Sequence, residues 1–242
     1  MSIRYAYVHQ ENATIILIHY KKQRGTEEEL AFPGALQRWV EHKHPGGHVA
    51  VLTSLEKKRL LDILYTTSYQ YSEVPAFPLS SGVLSRHYID CKKAFSNPEA
   101  RRLIGELIFE KIYDLPAHAI GGLAIGAYPI AIAVSDIAYA KKGQILNAFV
   151  VRREPKPHGL KKFIEGDVKP GDQVIIVDDV ITSGRSTIEA IEKCREAGLI
   201  VLKAVSLVDR EEENGRKNIE QHGIALDALF TMSDFTACRN KR

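Results

Sequence analysis

Residues 174–187 read VIIVDDVITSGRST. Val174, Ile175, Ile176 and Val177 form an unbroken apolar run, which suits a strand covered on both faces, as in a parallel sheet flanked by helices. Asp178 and Asp179 stand at its carboxyl end. Val180 and Ile181 follow, then a loop of hydroxyls and glycine, Thr182, Ser183, Gly184, Arg185, Ser186 and Thr187. The continuation IEAIEKCREAG has a helical rhythm with Gly198 as its expected stop.

A strand, a small-residue loop and a helix amino terminus together make an anion site, because unpaired backbone N–H groups and the helix dipole point at one spot. That predicts a phosphate. The acidic pair asks for a different partner: carboxylates repel phosphate but accept hydrogen bonds from a vicinal diol. Phosphate on one side and a diol on the other describe a ribose 5-phosphate. The same residues could serve as an acid-capped strand followed by an ordinary helix cap, but strand, acids, loop and helix stand in the order the ligand chemistry needs. A Walker A loop is disfavoured, since Asp179 stands where its first glycine would be and Arg185 replaces its lysine. No G-x-G-x-x-G follows the strand, which disfavours dinucleotide binding.

The 242 residues suggest one domain, or one with an addition, on a prior of roughly 150 residues per domain. Hydrophobic content of 45% and charged content of 26% fit a soluble globular chain, and a net charge of +3 is too small to argue for nucleic acid. Cys91, Cys194 and Cys238 are odd in number and far apart, so neither a disulfide framework nor a zinc site is indicated, and a reducing cytoplasm is expected. The start, MSIRYAYVHQ, lacks a charged segment followed by an apolar core, and no apolar run reaches about 18 residues, so neither secretion nor membrane spanning is expected.

Residues 1–53 read as an added element. Residues 2–9 and Ala13 to Tyr20 suggest a β-hairpin, LQRWVEH a short helix, and KKQRGTEEEL a solvated charge run. His42, His44 and His48 could be weighed as metal ligands, but a fourth ligand is missing and the intervening Pro45, Gly46 and Gly47 give no rigid frame. Residues 54–242 carry the chemistry. SLEKKRLLDILYTTSY is helical, with Ser54 as a cap and Leu55, Leu60, Ile63 and Leu64 on one side. FPLSSGVLSRHYID is a hairpin around a Ser-Ser-Gly turn. NPEARRLIGELIFEKIYDL is an amphipathic helix with Pro98 in its first turn and Leu103, Leu107 and Ile108 on its core face. Gly121 and Gly122 permit a tight strand-to-helix turn whose backbone can approach a ligand, or else serve close packing alone. Arg152, Arg153, Lys156, His158, Lys161 and Lys162 crowd one Pro/Gly loop, a density of cations that calls for solvent or a bound anion. The alternation of strands and helices predicts an α/β, doubly wound parallel sheet with its ligand loops at the strand ends.

The 174–187 stretch resembles the phosphoribosyl pyrophosphate signature of type I phosphoribosyltransferases. The resemblance implies that Asp178 and Asp179 hold the ribose hydroxyls and that the loop from Val180 and Ile181 through Thr187 binds the 5-phosphate. Phe77, Leu79, Ser81, Gly82, Ser85, Tyr88 and Asp90 resemble the F-x-L-x-S-G-x-x-S-x-x-Y-x-D hood of orotate phosphoribosyltransferases, which places Ser80 and Tyr88 over the base. Ser80 stands where some members have a base-contacting lysine. Gly126 likewise replaces a phosphate-contacting lysine found in some relatives. Arg152, Arg153, Lys156 and His158 fit R-R-x-x-K-x-H-G, similar to the family's mobile catalytic loop, with Arg153 in place of the usual lysine. Arg210, after Asp209, matches the arginine that reads orotate's carboxylate, which a planar guanidinium suits. The resemblance covers about residues 55–225, leaving the first segment and the basic tail from Thr236 to Arg242 outside it. It implies a type I fold with a hood and an amino-terminal β-rich extension, orotate and phosphoribosyl pyrophosphate as substrates, Mg2+ carried by the latter, and a homodimer sharing its active sites, with no nucleic-acid or membrane partner. A transferase for another base, or a regulator that keeps the ribose-phosphate site without catalysis, would retain the same signature.

Overall fold

The computed structural model describes residues 3–10, 14–21, 47–79, 82–154 and 163–240. They fall into two compact units, Met1–Glu56 and Lys57–Arg242. The first contains an antiparallel hairpin of β1 (Ile3–Gln10) and β2 (Thr14–Lys21), with Gln10 opposite Thr14 across the turn. The short helix expected at LQRWVEH, and His42 and His44, lie outside the described residues. Helix α1 spans Gly47–Thr67, so Ser54 lies inside it instead of capping it. Once a helix is nucleated, each added residue contributes a hydrogen bond, and the β-branched residues of HVAVLTS cost only tenths of a kcal/mol each.

Leu60, Ile63 and Leu64 of α1 are buried, whereas Leu55 remains 38% exposed. The chain then builds a small hood from two antiparallel pairs. Strands β3 (Tyr69–Tyr71) and β6 (His87–Ile89) form one, and β4 (Phe77–Pro78) and β5 (Leu84–Ser85) the other. A short helix α2 (Lys92–Phe95) leads to α3 (Pro98–Phe109). The Asn97 side chain caps α3 by accepting from the amides of Glu99 at 2.8 Å and Ala100 at 3.3 Å, and Pro98 fills the first position, where its missing N–H costs nothing. Leu103, Leu107 and Ile108 are buried, as the helical period requires.

The main sheet has six strands: β7 (Ala119–Leu123), β8 (Asn147–Val151), β9 (Ile164–Glu165), β10 (Gln173–Ile181), β11 (Ile200–Asp209) and β12 (Leu226–Thr231). Their spatial order is β12-β11-β10-β7-β8-β9, parallel throughout except for the short edge strand β9. The doubly wound α/β arrangement read from the sequence is present. Alternate residues of β10 enter different cores. Val174 and Ile176 join Ala190, Ile191 and Cys194 of α5 (Arg185–Glu196), while Ile175 and Val177 join Ile130 and Val134 of α4 (Ala127–Lys142). Burying each such side chain is worth about 1.5–3 kcal/mol, so both faces of this strand hold it in place. Helices α6 (Gly215–Glu220) and α7 (Met232–Asn240) complete the unit, and Phe235 of α7 is fully buried against Phe230 and Tyr69.

Gly121 and Gly122 differ from the sequence expectation. Both lie within β7, and the turn into α4 is Ala124 to Gly126. Their absent side chains serve strand approach: a Cβ at Gly121 would stand 2.3 Å from the Phe149 carbonyl oxygen, and one at Gly122 would stand 2.1 Å from that of Val177. Of the two roles open to these glycines, close packing is the one realised. Gly122→Ala is therefore expected to cost about 1–3 kcal/mol. Thermal unfolding should show a midpoint lowered by at least ~2 °C.

Candidate active site

Strand β10 runs four residues beyond its apolar core, through Asp178 and Asp179 to Ile181. On one side it stays paired with β11 as far as Ile181 opposite Asp209, while pairing with β7 ends at Ile176 opposite Gly121. The two acids thus sit where the sheet opens, at the switch between β10 and β7, which is where open α/β sheets bind ligands. Both are buried, at 7% and 8% exposure.

Asp178 is held from within. Its Oδ1 accepts from the Asp179 amide at 2.9 Å, and its Oδ2 accepts from Thr187 Oγ1 at 2.8 Å. Burial, with the neighbouring Asp179 charge, pushes the Asp178 carboxyl up to about 7, against the lowering effect of the two hydrogen bonds it accepts. Asp179 Oδ1 accepts from the Val180 amide at 3.1 Å, and Oδ2 takes a hydrogen bond from Lys92 Nζ at 2.8 Å. On the α4 side the same carboxylate lies against Gly126, where a Cβ would be 2.5 Å from Oδ1.

The loop after β10 turns into α5 through Gly184 at φ +80°, a left-handed conformation that glycine adopts without strain. Gly184 and Thr187 are buried, Arg185 is exposed, and Val180, Thr182, Ser183 and Ser186 are partly buried. The loop is braced by α6. Asn218 Nδ2 donates to the Ser183 carbonyl at 2.9 Å, and a Cβ on Gly215 would meet the Thr182 carbonyl oxygen at 2.3 Å. Beyond the brace, the first-turn amides of α5 have no intrahelical acceptors, an arrangement able to receive an anion.

The basic loop leaves β8 at Arg152 and Arg153 and returns at Phe163. Lys156, His158, Lys161 and Lys162 lie outside the described residues, as does Ser80. The Arg152 amide donates to the Phe163 carbonyl at 2.7 Å and closes the neck of the loop. Arg152 Nη1 pairs with Glu165 Oε1 at 2.7 Å, while the exposed Arg153 reaches Ser186 Oγ at 3.4 Å. Lys193 of α5 clamps this neck, donating to the carbonyls of Arg152 at 3.0 Å and Arg153 at 2.8 Å and lying over the Phe163 ring.

Arg210 is 7% exposed at the end of β11. Its Nε pairs with Glu212 Oε2 at 2.8 Å, and its Nη2 donates to the His87 carbonyl at 2.8 Å and to Ser85 Oγ at 3.2 Å. Ser85 Oγ donates in turn to Glu212 Oε1 at 2.9 Å. The guanidinium is thereby tied to the hood, where Tyr88 stacks on Phe77 with ring centroids 5.4 Å apart. Asp178, Asp179, the 180–187 loop and the first two loop arginines share the open end of β10, and Arg210 and Tyr88 join through the hood. The sequence reading did not single out Lys92, Glu212 or Lys193. Each is recognised only by a partner across the fold, except that Glu212, two residues from Arg210, was within reach of a local charge-pair argument.

Residues 95–225 match the phosphoribosyl transferase domain family. The orotate phosphoribosyltransferase of Aquifex aeolicus is 43% identical over 180 residues, covering 74% of this chain and 97% of that protein. That of Leptospira biflexa is 38% identical over 179 residues, covering 73% and 95%. A crystal structure of the Mycobacterium tuberculosis orotate phosphoribosyltransferase superposes with a TM-score of 0.64 at 30% identity, covering 74% of this chain and 98% of that one.

Because its carboxyl titrates higher in the folded chain than the usual 3.8, Asp178 contributes a stability that is fully present below about pH 4 and is lost as the pH rises towards 7. An asparagine carries no charge, and it keeps both contacts when its amide oxygen accepts from the Asp179 N–H and its Nδ2 donates to Thr187 Oγ1, the hydroxyl turning from donor to acceptor. Asp178→Asn should therefore raise the unfolding temperature at pH 8 and leave it nearly unchanged at pH 4.5, as followed by calorimetry; a variant less stable than wild type at pH 8 would refute this.

Proposed function

The chain belongs to the orotate phosphoribosyltransferases, within the phosphoribosyl transferase domain family, and transfers a 5-phosphoribosyl group from phosphoribosyl pyrophosphate to orotate; we propose that it does so with the groups gathered at the open end of β10. The observation that carries this assignment of roles is the buried acid pair, Asp178 and Asp179, set beside a braced loop at a helix amino terminus. The carboxylates accept hydrogen bonds from the ribose diol, and the Thr182 to Thr187 amides and hydroxyls receive the 5-phosphate. Arg210, held rigid by Glu212, Ser85 and the His87 carbonyl, reads the orotate carboxylate, with Ser80 and Tyr88 over the ring.

In the reaction, the bond from the anomeric carbon to the pyrophosphate oxygen breaks as the ring nitrogen of orotate, its N–H proton released to solvent, forms its bond to that carbon. Positive charge grows on the ribose and negative charge on the departing pyrophosphate. Asp178 and Asp179 stabilise the first, and Arg152, Arg153, Lys156 and His158 neutralise the second. A magnesium ion carried on phosphoribosyl pyrophosphate supplies further neutralisation of the leaving group when bound. The residues present suit an ion that arrives on the substrate: Asp178 and Asp179 take hydrogen bonds from Thr187 and Lys92 and would receive the diol, leaving the ion to be held through phosphoribosyl pyrophosphate. Closure of the basic loop excludes water, which would otherwise take the sugar. The functional form is a homodimer in which some loop residues serve the neighbouring site, and its compartment is the cytoplasm. No helix among the described residues is long and apolar enough to cross a membrane. Residues 54–242 constitute the transferase part, and residues 1–53 an added element.

Loss of orotate absorbance in the presence of phosphoribosyl pyrophosphate and magnesium tests these roles. Arg210→Ala should raise KM for orotate about 10- to 100-fold, the worth of a charge-assisted hydrogen bond. Lys156→Ala should lower kcat about 100-fold or more while leaving KM for orotate nearly unchanged. Wild-type turnover that survives both changes would overturn the assignments.

A further inference from the structure

Lys92 lies outside the signature, the loop and the base site, yet its ammonium stands 2.8 Å from Asp179 Oδ2. It comes from α2 in the hood, so this is the one ion pair described between the hood and the acid pair. The Lys92 side chain is 52% exposed and that of Asp179 only 11%. A pair this accessible adds little to folding stability, on the order of 0–1 kcal/mol. Its position on a buried acid calls for a different account.

We propose that Lys92 is a positioning residue for the ribose diol: its ammonium holds the Asp179 carboxylate turned towards the open end of β10, in a cradle that Gly126 leaves free. This rests on the reading of Asp178 and Asp179 as the diol acids. Two observations lead to it independently. The first is geometric. Gly126, at the start of α4, lies against the Asp179 carboxylate, where a Cβ would stand 2.5 Å from Oδ1, and Lys92 reaches Oδ2 of the same carboxylate from the hood side. The second is electrostatic. Two adjacent buried carboxylates resist double ionisation, and the Asp178 carboxyl at about 7 shows that cost. A diol needs acceptors, so a proton retained by the pair directly removes an acceptor for ribose.

Among the described residues, the charged and titratable groups facing the Lys92–Asp179 pair are Asp178 from β10, and Asp90 and Cys91 preceding Lys92; Thr187 of α5 donates to Asp178, and Gly126 at the start of α4 lies against Asp179. Burial works against the ammonium, but the Asp179 hydrogen bond and charge, with Asp90 and Cys91, hold its pKa above that of ordinary lysine. Lys92 therefore remains a cation throughout the range in which the acid pair titrates. Removing it leaves the pair holding its proton to higher pH.

The test is equilibrium binding of phosphoribosyl pyrophosphate with magnesium, by calorimetry from pH 5.5 to 9, for wild type, Lys92→Met, Lys92→Gln, Lys92→Arg and Asp179→Asn. The ligand's own titration is common to all and divides out. The acidic loss of binding should move up by about one pH unit in the Met and Gln variants, and the Arg variant should restore it. Binding weakened by a constant factor at every pH, or unchanged, would overturn the role of Lys92. If Asp179→Asn binds as wild type does at all pH values, the diol reading itself fails, which separates the two outcomes.

Discussion

Two carboxylates placed side by side in a nearly dry strand end are an unfavourable arrangement, and much of the surrounding structure answers to it. Solvation lost by Asp178 and Asp179 is replaced by fixed donors: the Asp179 and Val180 amides, the Thr187 hydroxyl and the Lys92 ammonium. Each donor comes from an element whose position is itself determined elsewhere. Thr187 is carried by α5, which Ala190, Ile191 and Cys194 anchor to one face of β10. Lys92 is carried by the hood, whose Ala94 and Phe95 enter the core on the other face. The sheet packing and the site electrostatics are thus one construction. The apolar half of β10 fixes the register, and the register sets where its last residues stand.

The same helix serves two ligand elements. The amino end of α5 is the cradle proposed for the phosphate, and two turns later Lys193 grips the neck of the basic loop through the carbonyls of Arg152 and Arg153. Glu189, one turn back, pairs with Lys193 at 2.6 Å and keeps it directed at that neck. One helix therefore ties the loop after β10 to the root of the basic loop at Arg152 and Arg153.

What could be read from the sequence was whatever repeats at short range. The VIIV run gave a strand covered on both faces, and the order of acids, hydroxyl loop and helix that the sequence showed is the order the structure has, because the backbone itself dictates those neighbours. Asn97 and Pro98 marked the start of α3 in the same local way. The glycines of β7 were read less well: Gly121 and Gly122 look like a turn in one dimension, and their reason for being glycine, the carbonyls of Phe149 and Val177, lies 28 and 55 residues away. Ser54 was taken as a helix start since serine commonly caps, yet nothing in a single sequence weighs that against continuation of a helix already begun at Gly47.

The residues that escaped share one physical property. Lys92, Lys193 and Glu212 act by charge, and a charge has no periodicity by which its partner can be found; Lys92 and Asp179 are 87 residues apart. Arg210 was singled out for its place after Asp209, but its surroundings were not legible there: it is a buried strut, joined to Glu212 and, across more than a hundred residues, to Ser85 and the His87 carbonyl. That fixation matters for recognition. A guanidinium whose orientation is already determined loses little conformational entropy on meeting a planar carboxylate, so in the role proposed for Arg210 the discrimination would be built into the hood before any base is bound.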